Sequence, residues 1–135
     1  MPEIPVDPAS LPTSYEIMDE TLTYEGFVRE ASTGEDKNGD AYLALKVEVT
    51  SPEMWIGKRV NDNYIPLPKA VSPTAGVGAR RAEQDRRVKF GRFCAAFKPP
   101  VPLHTDTMSG ATGKFTIRNE DYMGEPRPRI GSYVI

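Results

Sequence analysis

The densest set of chemically active side chains in this sequence is a run of Lys and Arg between residues 57 and 98. That segment holds ten basic residues against three acidic ones. Positive side chains at this density attract phosphates and other polyanions. Residues 1–50 have the opposite charge balance, with eleven acidic residues against three basic ones. The two segments largely compensate each other, so the net charge of the chain is only −2. The asymmetry indicates either a polyanion-binding surface or two halves that attract each other within the fold.

Patterns for catalysis or metal binding are sparse by comparison. The chain has one cysteine, Cys94, and one histidine, His104, so an internal disulfide, a His-based metal site and a His-pair mechanism are excluded. The segment 36–47 imitates the opening of a calcium loop, but Val47 stands where the closing glutamate is required, and a hairpin turn explains it better. The sequence contains neither the phosphate-binding motif G-x-x-x-x-G-K-[ST] nor the G-x-S-x-G motif of a nucleophilic serine. We therefore expect a protein that is not an enzyme and needs no cofactor or metal.

Length and composition favour one domain rich in turns. The chain has 135 residues, of which 13 are Pro and 11 are Gly, too many for a helical bundle. Its apolar runs fall well short of the roughly 20 residues that a membrane span needs, and the N-terminus lacks the features of a signal peptide. We expect a cytoplasmic protein with no membrane partner. Four prolines within residues 1–20 predict an extended arm that can be deleted without unfolding the rest.

Periodicity predicts five strands and one helix. Residues 21–50 read as a long β-hairpin, because apolar residues alternate on both sides of an Asn-Gly turn. Three further strands are predicted at 58–67, 113–119 and 127–135, and long loops at 66–81 and 98–112. A helix is predicted at 82–97, where one apolar stripe contains Phe90, Phe93, Cys94 and Phe97. Three strands, a helix and two strands follow the order of an OB-fold. We predict an all-β, five-stranded OB-fold barrel over 21–135, with its helix between strands three and four.

The predicted strand faces place aromatic and cationic side chains together on the solvated surface. If Leu43 and Leu45 point into the barrel, then Tyr42 and Lys46 point outward, and the same logic applies to the first strand. On the third strand, alternation from Val60 predicts that Tyr64 faces the core, although we also retain Tyr64 as a candidate binding residue. On the last strand, alternation predicts that Val134 and Tyr133 lie on opposite faces. Exposed rings with interleaved cations suit single-stranded nucleic acid, whose bases stack while Lys and Arg follow the phosphates. The candidate nucleic-acid-binding residues are Phe27, Arg29, Tyr42, Lys46, Trp55, Lys58, Arg59, Tyr64, Arg86, Lys89, Arg92, Lys114, Arg118 and Arg129. Two interpretations of Trp55 remain: it stacks on a base, or it packs as a plug that closes the barrel.

The order of several short motifs resembles small phage-encoded single-stranded-DNA-binding proteins with an OB-fold. The motifs are the hairpin 26–49, the turn Trp55-Ile56-Gly57-Lys58-Arg59-Val60 and the closing segment Gly113-Lys114-Phe115-Thr116-Ile117 followed by Tyr122-Met123-Gly124 and Ile130. The resemblance covers residues 21–135. It implies sequence-tolerant, non-catalytic binding of single-stranded DNA in phage DNA replication or recombination, within the host cytoplasm. Many such proteins end in an acidic tail, whereas this sequence ends at Tyr133-Val134-Ile135 and carries its acidic surplus near the N-terminus.

Two rival functions stay open on the sequence. The barrel could instead be a protein-interaction or virion-assembly module whose arm docks a neighbour, or, less well supported, a small nuclease. The expected partners under the leading hypothesis are single-stranded DNA and replication or recombination proteins, with a homodimer as a further alternative. The basic segment 69–92 is interpreted as a flap that orders over a polyanion.

Overall fold

Five strands form a closed barrel in this computed structural model, which describes residues 2–14 and 16–135. The principal elements are β1 (Tyr24–Glu35), β2 (Ala41–Ser51), β3 (Arg59–Pro66), α1 (Val77–Phe97), α2 (Thr105–Met108), β4 (Thr112–Tyr122) and β5 (Glu125–Val134). The strands follow the order β1-β2-β3-β5-β4 around the barrel, and α1 joins β3 to β4 through flanking loops. This arrangement confirms the predicted OB-fold-like barrel with one main helix between β3 and β4.

The long hairpin arises from strict alternation on β2 and from a turn held by one carboxylate. The inward residues Leu43, Leu45, Val47 and Val49 are all buried. At the turn, Asp36 Oδ1 accepts the N–H groups of Asn38 at 2.9 Å and Asp40 at 3.0 Å, and Gly39 has a positive φ of 79°. The hairpin interpretation of this segment is therefore confirmed, and β1 continues to Glu35, directly before the turn.

The helix stripe covers one end of the barrel. Phe93 and Phe97 are buried, while Phe90 and Cys94 are half-buried against the same core. The ring of Phe93 lies 5.6 Å from that of Tyr133, measured between centroids. Such aromatic contacts add to the stabilisation that comes from burial of their apolar area, so the predicted apolar face of the helix is confirmed.

The helix begins five residues earlier than predicted, at Val77 rather than Ala82, so the predicted loop 66–81 shortens to 67–76. Tertiary polar contacts hold these first turns, which lack a regular apolar stripe. Buried Glu83 accepts the backbone N–H of Lys69 at 2.6 Å, and Arg86 pairs with Asp40 at 2.7 Å. Most of the predicted flap 69–92 is therefore regular helix, anchored to the preceding loop and to the hairpin turn.

A second loop, predicted at 98–112, is partly helical and packs against β1. It contains α2, whose Met108 is buried. Val28 donates its N–H to the Ala111 carbonyl at 2.9 Å and accepts the N–H of Gly110 at 2.7 Å. These backbone bonds continue the edge of β1 where its pairing with β4 ends.

Two register shifts move aromatic side chains to the face opposite from that predicted. On β3, Leu43 pairs with Ile65 but Leu45 pairs with Asp62, so β3 contains one extra residue between these pairs. Ile65 is consequently buried and Tyr64 is 46% exposed. The prediction that Tyr64 faces the core was wrong, because an inserted residue reverses the alternation beyond it.

The second shift lies on β5. Thr116 pairs with Ser132 whereas Ile117 pairs with Ile130, which leaves Gly131 as the extra residue. Tyr133 is therefore buried at 8% exposure, and Val134 is only half-buried. Regular alternation also predicts that Tyr133 lies on the face opposite to Ile130; both residues are buried, so that prediction was wrong for the same physical reason.

The N-terminal arm is exposed over most of its described length but enters the core at its end. Residues 2–14, 16 and 17 are exposed, whereas Met18 is 1% exposed. Met1 and Tyr15 of the predicted arm lie outside the described residues. The expectation that all of 1–20 is dispensable for folding therefore needs revision at Met18.

Among the described residues, no helix is both long enough and apolar enough to cross a membrane.

Candidate nucleic-acid interface

A groove follows the junction between β3 and β5, where the barrel is least tightly paired. The described residues of these two strands pair at one position, Asn61 with Arg129, in parallel orientation. Three adjoining clefts of about 180, 340 and 360 Å³ run along this junction and share lining residues. Asn61 and Arg129 belong to the first and second clefts, and Tyr64 and Arg118 to the second and third. We call the three clefts together the seam groove.

Cations dominate the lining of the seam groove. They come from three separate parts of the chain and are Lys58, Arg59, Lys89, Arg92, Arg118, Arg127 and Arg129. The acidic lining residues are Asp62 and Glu120. Clefts lined by one sign of charge concentrate ligands of the opposite sign. The seam groove is therefore suited to a polyanion.

Several of these cations are available to a ligand. Glu120 contacts Arg118 at 2.6 Å and Arg129 at 3.9 Å, so one carboxylate serves two guanidinium groups. Across residues 2–14 and 16–135, Lys58, Lys89 and Arg92 make no ion pair within 4 Å. An unpaired surface cation can contact a phosphate without first breaking an existing pair.

Tyr64 supplies an exposed aromatic ring inside the groove. Its hydroxyl donates to Asp36 Oδ2 at 3.0 Å, and its ring centroid lies 5.1 Å from that of Tyr42. The hydrogen bond to Asp36 is the main reason why the pKa of Tyr64 is raised. Tyr42 is itself held against β1, because a Cβ at Gly34 would lie 2.8 Å from the Tyr42 hydroxyl oxygen. The Tyr64 ring is thus held by its hydroxyl and by the neighbouring Tyr42 ring, and the residue remains substantially exposed.

Asp62 lies beside Tyr64 on the floor of the groove. The Tyr133 hydroxyl donates to Asp62 Oδ2 at 2.6 Å, and the Tyr64 N–H makes a long contact of 3.4 Å to Asp62 Oδ1. Burial raises the pKa of the Asp62 carboxyl, and the Tyr133 hydrogen bond opposes that rise. Burial likewise raises the pKa of the Tyr133 hydroxyl, which therefore remains a donor.

The tip of the β4–β5 hairpin adds a second aromatic group next to the groove. Tyr122 is half-exposed and Met123 is 89% exposed at this turn, where Met123 and Gly124 both have positive φ values. The guanidinium carbon of Arg127, which lines the groove, lies 4.4 Å from the centroid of the Tyr122 ring. A cation over an aromatic face is a favourable arrangement that keeps the ring in place.

The outer face of β1 and β2, where four candidate residues were predicted, is close to electrically neutral. Arg29 lies 3.3 Å from Glu48, and Lys46 lies 3.4 Å from Glu30. Phe27 and Tyr42 are half-buried. Tyr42 contacts Tyr64, but the cations of this face are already paired with carboxylates. The structure thus separates Arg29 and Lys46 from the unpaired cations of the seam groove.

The other predicted residues have structural partners outside the groove. Arg86 and Lys69 both contact Asp40 at 2.7 Å, and we call these three residues the Asp40 latch. The hydrogen bond from Lys69 is the largest cause of the lowered pKa of Asp40, followed by that from Arg86. Lys114 lies 3.6 Å from Glu25. Trp55 packs half-buried against the core, which favours its reading as a plug.

The seam groove collects seven of the fourteen predicted residues: Lys58, Arg59, Tyr64, Lys89, Arg92, Arg118 and Arg129. Sequence reasoning missed Asp62, Tyr122, Arg127 and Tyr133. Arg127 could have been found, since it is two residues from Arg129 and shares its face in a regular strand. Asp62 and Tyr133 meet across the β3–β5 junction because the extra residue in β5 turns Tyr133 inward, and no local pattern predicts that contact.

The described residues contain no group of three or more His, Cys, Asp and Glu side chains placed to hold a metal ion. The sequence matches no known family model, and no curated protein is significantly similar to it.

Proposed function

We propose that this protein binds single-stranded DNA in the seam groove, with little dependence on base sequence and without catalysis. The observation that carries the proposal is the exposed Tyr64 ring in a groove that is also lined by Lys58, Lys89 and Arg92, which make no ion pair among the described residues. Unpaired bases stack on aromatic rings for roughly 1–3 kcal/mol each. Phosphates are attracted by Lys58, Lys89 and Arg92, which have no competing carboxylate among the described residues.

The β4–β5 tip extends the same surface. In a strand, residues lie about 3.3 Å apart, so Tyr122 is about 13 Å along β4 from Arg118. A length of about 13 Å corresponds to about four nucleotides, since the spacing along one DNA strand is about 3.4 Å when the bases are stacked. OB-folds bind oligonucleotides with the face around strands two and three and with the loops at this end of the barrel. The seam groove shares β3 and the β4–β5 hairpin with that pattern, but its lining includes no residue of β2.

A role in phage DNA replication or recombination forms the second part of the proposal. It rests on the resemblance of residues 21–135 to small phage-encoded single-stranded-DNA-binding proteins. Under this proposal the protein acts in the host cytoplasm beside replication or recombination proteins.

Fluorescence anisotropy with labelled oligo-dT and with a duplex of equal length tests the binding proposal. At about 50 mM salt we expect tight binding of the single strand, weaker binding of the duplex and a steep loss of single-strand affinity by about 200 mM salt. Weak binding of both DNA forms would contradict the proposal. Tighter binding of oligo-U RNA than of DNA would redirect it to RNA.

The exposed arm favours a second candidate function, the assembly module. Ile4, Val6, Leu11 and Ile17 are all exposed by half or more, and they give the arm apolar surface that would be stabilised by burial against a partner protein. Light scattering of the full chain and of a variant lacking residues 2–16 separates the two functions. Assembly that disappears with the arm, together with no DNA binding, would support the second candidate over the first.

A further inference from the structure

Asp62 is an unusual residue to find in a phosphate-binding groove. It lines the second and third clefts, in the middle of the otherwise cationic surface. The other lining carboxylate, Glu120, is occupied by Arg118 and Arg129. Within residues 2–14 and 16–135, Asp62 takes part in no ion pair within 4 Å. A negative charge here repels phosphate, so the carboxylate is better suited to a different part of the ligand.

The carboxylate is oriented and has unused acceptor capacity. An ionised carboxylate has about four acceptor positions. One is taken by the Tyr133 hydroxyl at 2.6 Å on Oδ2, and a second is only weakly used by the Tyr64 N–H at 3.4 Å on Oδ1. The short hydrogen bond from Tyr133 restricts rotation of the Asp62 side chain, so the other acceptor positions of the carboxylate point in fixed directions. Asp62 therefore behaves as a positioned hydrogen-bond acceptor beside the cleft.

The location of Asp62 brings it close to a base stacked on Tyr64. The two residues are two positions apart on β3, so their Cα atoms are separated by about 6.6 Å or less. Both residues line the second and third clefts, so a base that stacks on Tyr64 and enters these clefts presents its hydrogen-bonding edge towards the Asp62 carboxylate. Neighbouring Asn61 and Asn63, one on each side of Asp62, add amide groups to the lining of the same cleft.

The chemistry of base edges then decides which bases this carboxylate favours. Cytosine and adenine present an exocyclic amino group, and guanine presents an amino group next to a ring N–H. Thymine and uracil instead have carbonyl oxygens on both sides of their single ring N–H. A carboxylate that approaches that N–H is repelled by the two flanking oxygens.

We propose that Asp62 is a base-edge acceptor in the seam groove and gives the site a preference for amino-bearing bases over thymine or uracil at the nucleotide stacked on Tyr64. This inference rests on the proposed binding of single-stranded DNA. It is compatible with sequence tolerance, because one nucleotide in each binding site is affected while the phosphate contacts are common to all sequences.

Oligomers of deoxycytidine and deoxyuridine, about 15 nucleotides long, provide the matched probes. The two bases differ at C4, which carries an amino group in one and a carbonyl oxygen in the other, and in the ring proton next to it. At about pH 8 cytosine is unprotonated. We expect the wild-type protein to bind the deoxycytidine oligomer at least about fivefold more tightly, as one charged base contact allows. A ratio close to one would overturn the inference.

Substitution of Asp62 by Asn identifies the group responsible. Asp62→Asn removes the negative charge while keeping the shape, so we expect affinity for the deoxyuridine oligomer to rise and the ratio of the two affinities to fall towards one. Tyr133→Phe removes the hydroxyl that orients Asp62 but leaves the carboxylate, so its ratio should lie between that of the wild type and one. If Asp62→Asn does not fold, Asp62→Ser serves the same purpose. A preference that persists in a folded Asp62 variant would overturn the inference.

The same titrations separate this inference from the proposed function. Binding of both oligomers with equal affinity contradicts only the role of Asp62. Failure to bind either oligomer contradicts the proposed function, and the inference with it.

Discussion

Met18 and Asn119 form a reciprocal pair of hydrogen bonds that joins the N-terminal arm to β4. The N–H of Met18 donates to Asn119 Oδ1 at 3.1 Å, and Asn119 Nδ2 donates to the Met18 carbonyl at 2.7 Å. Glu20 reinforces the junction, because its carboxylate accepts the backbone N–H of Asn119 at 3.1 Å. The described residues of the arm therefore form two parts, an exposed part that ends at Ile17 and a short anchored part that begins at Met18.

Truncations at different points should distinguish the two parts of the arm. Removal of residues 2–16 should leave the melting temperature nearly unchanged, because its described side chains are exposed. Met18→Ala should cost about 2–5 kcal/mol, the usual range for removing a large buried side chain. Chemical denaturation of both variants measures these effects. A loss of similar size from the truncation would show that the exposed segment also contributes to stability.

Neutralising unpaired groove cations should change the salt dependence of DNA binding. We expect the double variant Lys89→Ala, Arg92→Ala to reduce the slope of log affinity against log salt concentration by about 0.7 for each phosphate contact removed. The double variant Lys46→Ala, Lys114→Ala is the matched control. It removes the same charge, but from side chains already paired with glutamates at 3.4 and 3.6 Å. Equal changes of slope in the two variants would contradict the assignment of the groove.

Loss of the Tyr64 ring should weaken binding without altering its salt dependence. Tyr64→Ala should cost about 1–3 kcal/mol of binding free energy, because one base loses its stacking partner. The salt dependence should stay the same, because stacking of a base releases no counterions. Tyr64→Phe keeps the ring and removes the bond to Asp36, so its loss should be much smaller. Titration of oligo-dT at two salt concentrations measures both quantities. If the Phe variant binds as weakly as the Ala variant, the hydroxyl rather than the ring is the important group.

Two glycines should respond in opposite directions to the same substitution. A Cβ at Gly113 would lie 2.6 Å from Phe97 Cδ1 and 2.8 Å from the Ala96 carbonyl oxygen, so Gly113→Ala should destabilise by about 1–3 kcal/mol. A Cβ at Gly91 in α1 would meet nothing within 4 Å, so Gly91→Ala should stabilise by up to about 1 kcal/mol through helix propensity. Urea denaturation provides the comparison. Stabilisation by both substitutions would show that the barrel end near Gly113 adjusts easily.

The Asp40 latch should be lost in acid. The pKa of Asp40 is lowered in the folded protein, so the unfolded chain binds more protons as the pH falls below the ordinary value of 3.8. The contribution of the latch is therefore fully present above that value and disappears as the pH falls through the lowered folded pKa. We expect the melting temperatures of the wild type and of Asp40→Asn to differ at neutral pH and to converge in acid. A difference that stays constant with pH would show that charge has no part in the latch.

The regular parts of the fold follow from the sequence because their periods are set by backbone geometry. Side chains alternate along a strand and recur every 3.6 residues along a helix. Leu43, Leu45 and Val47 were thus assigned to the core correctly, as were Phe93 and Phe97. The order of the elements then predicted the barrel, since few small folds place one helix between the third and fourth of five strands.

The candidate site depended instead on contacts between distant parts of the chain. The sequence predicts Lys46 and Lys89 alike as exposed cations that bind nucleic acid. In the structure Lys46 is paired with Glu30, whereas Lys89 makes no ion pair within the described residues. Tyr64 is exposed and Tyr133 is buried because β3 and β5 each contain one extra residue. A single inserted residue has no local signature when its neighbours are all compatible with a strand. Its effect is decided by how two strands align across the barrel, which is a property of the tertiary structure alone.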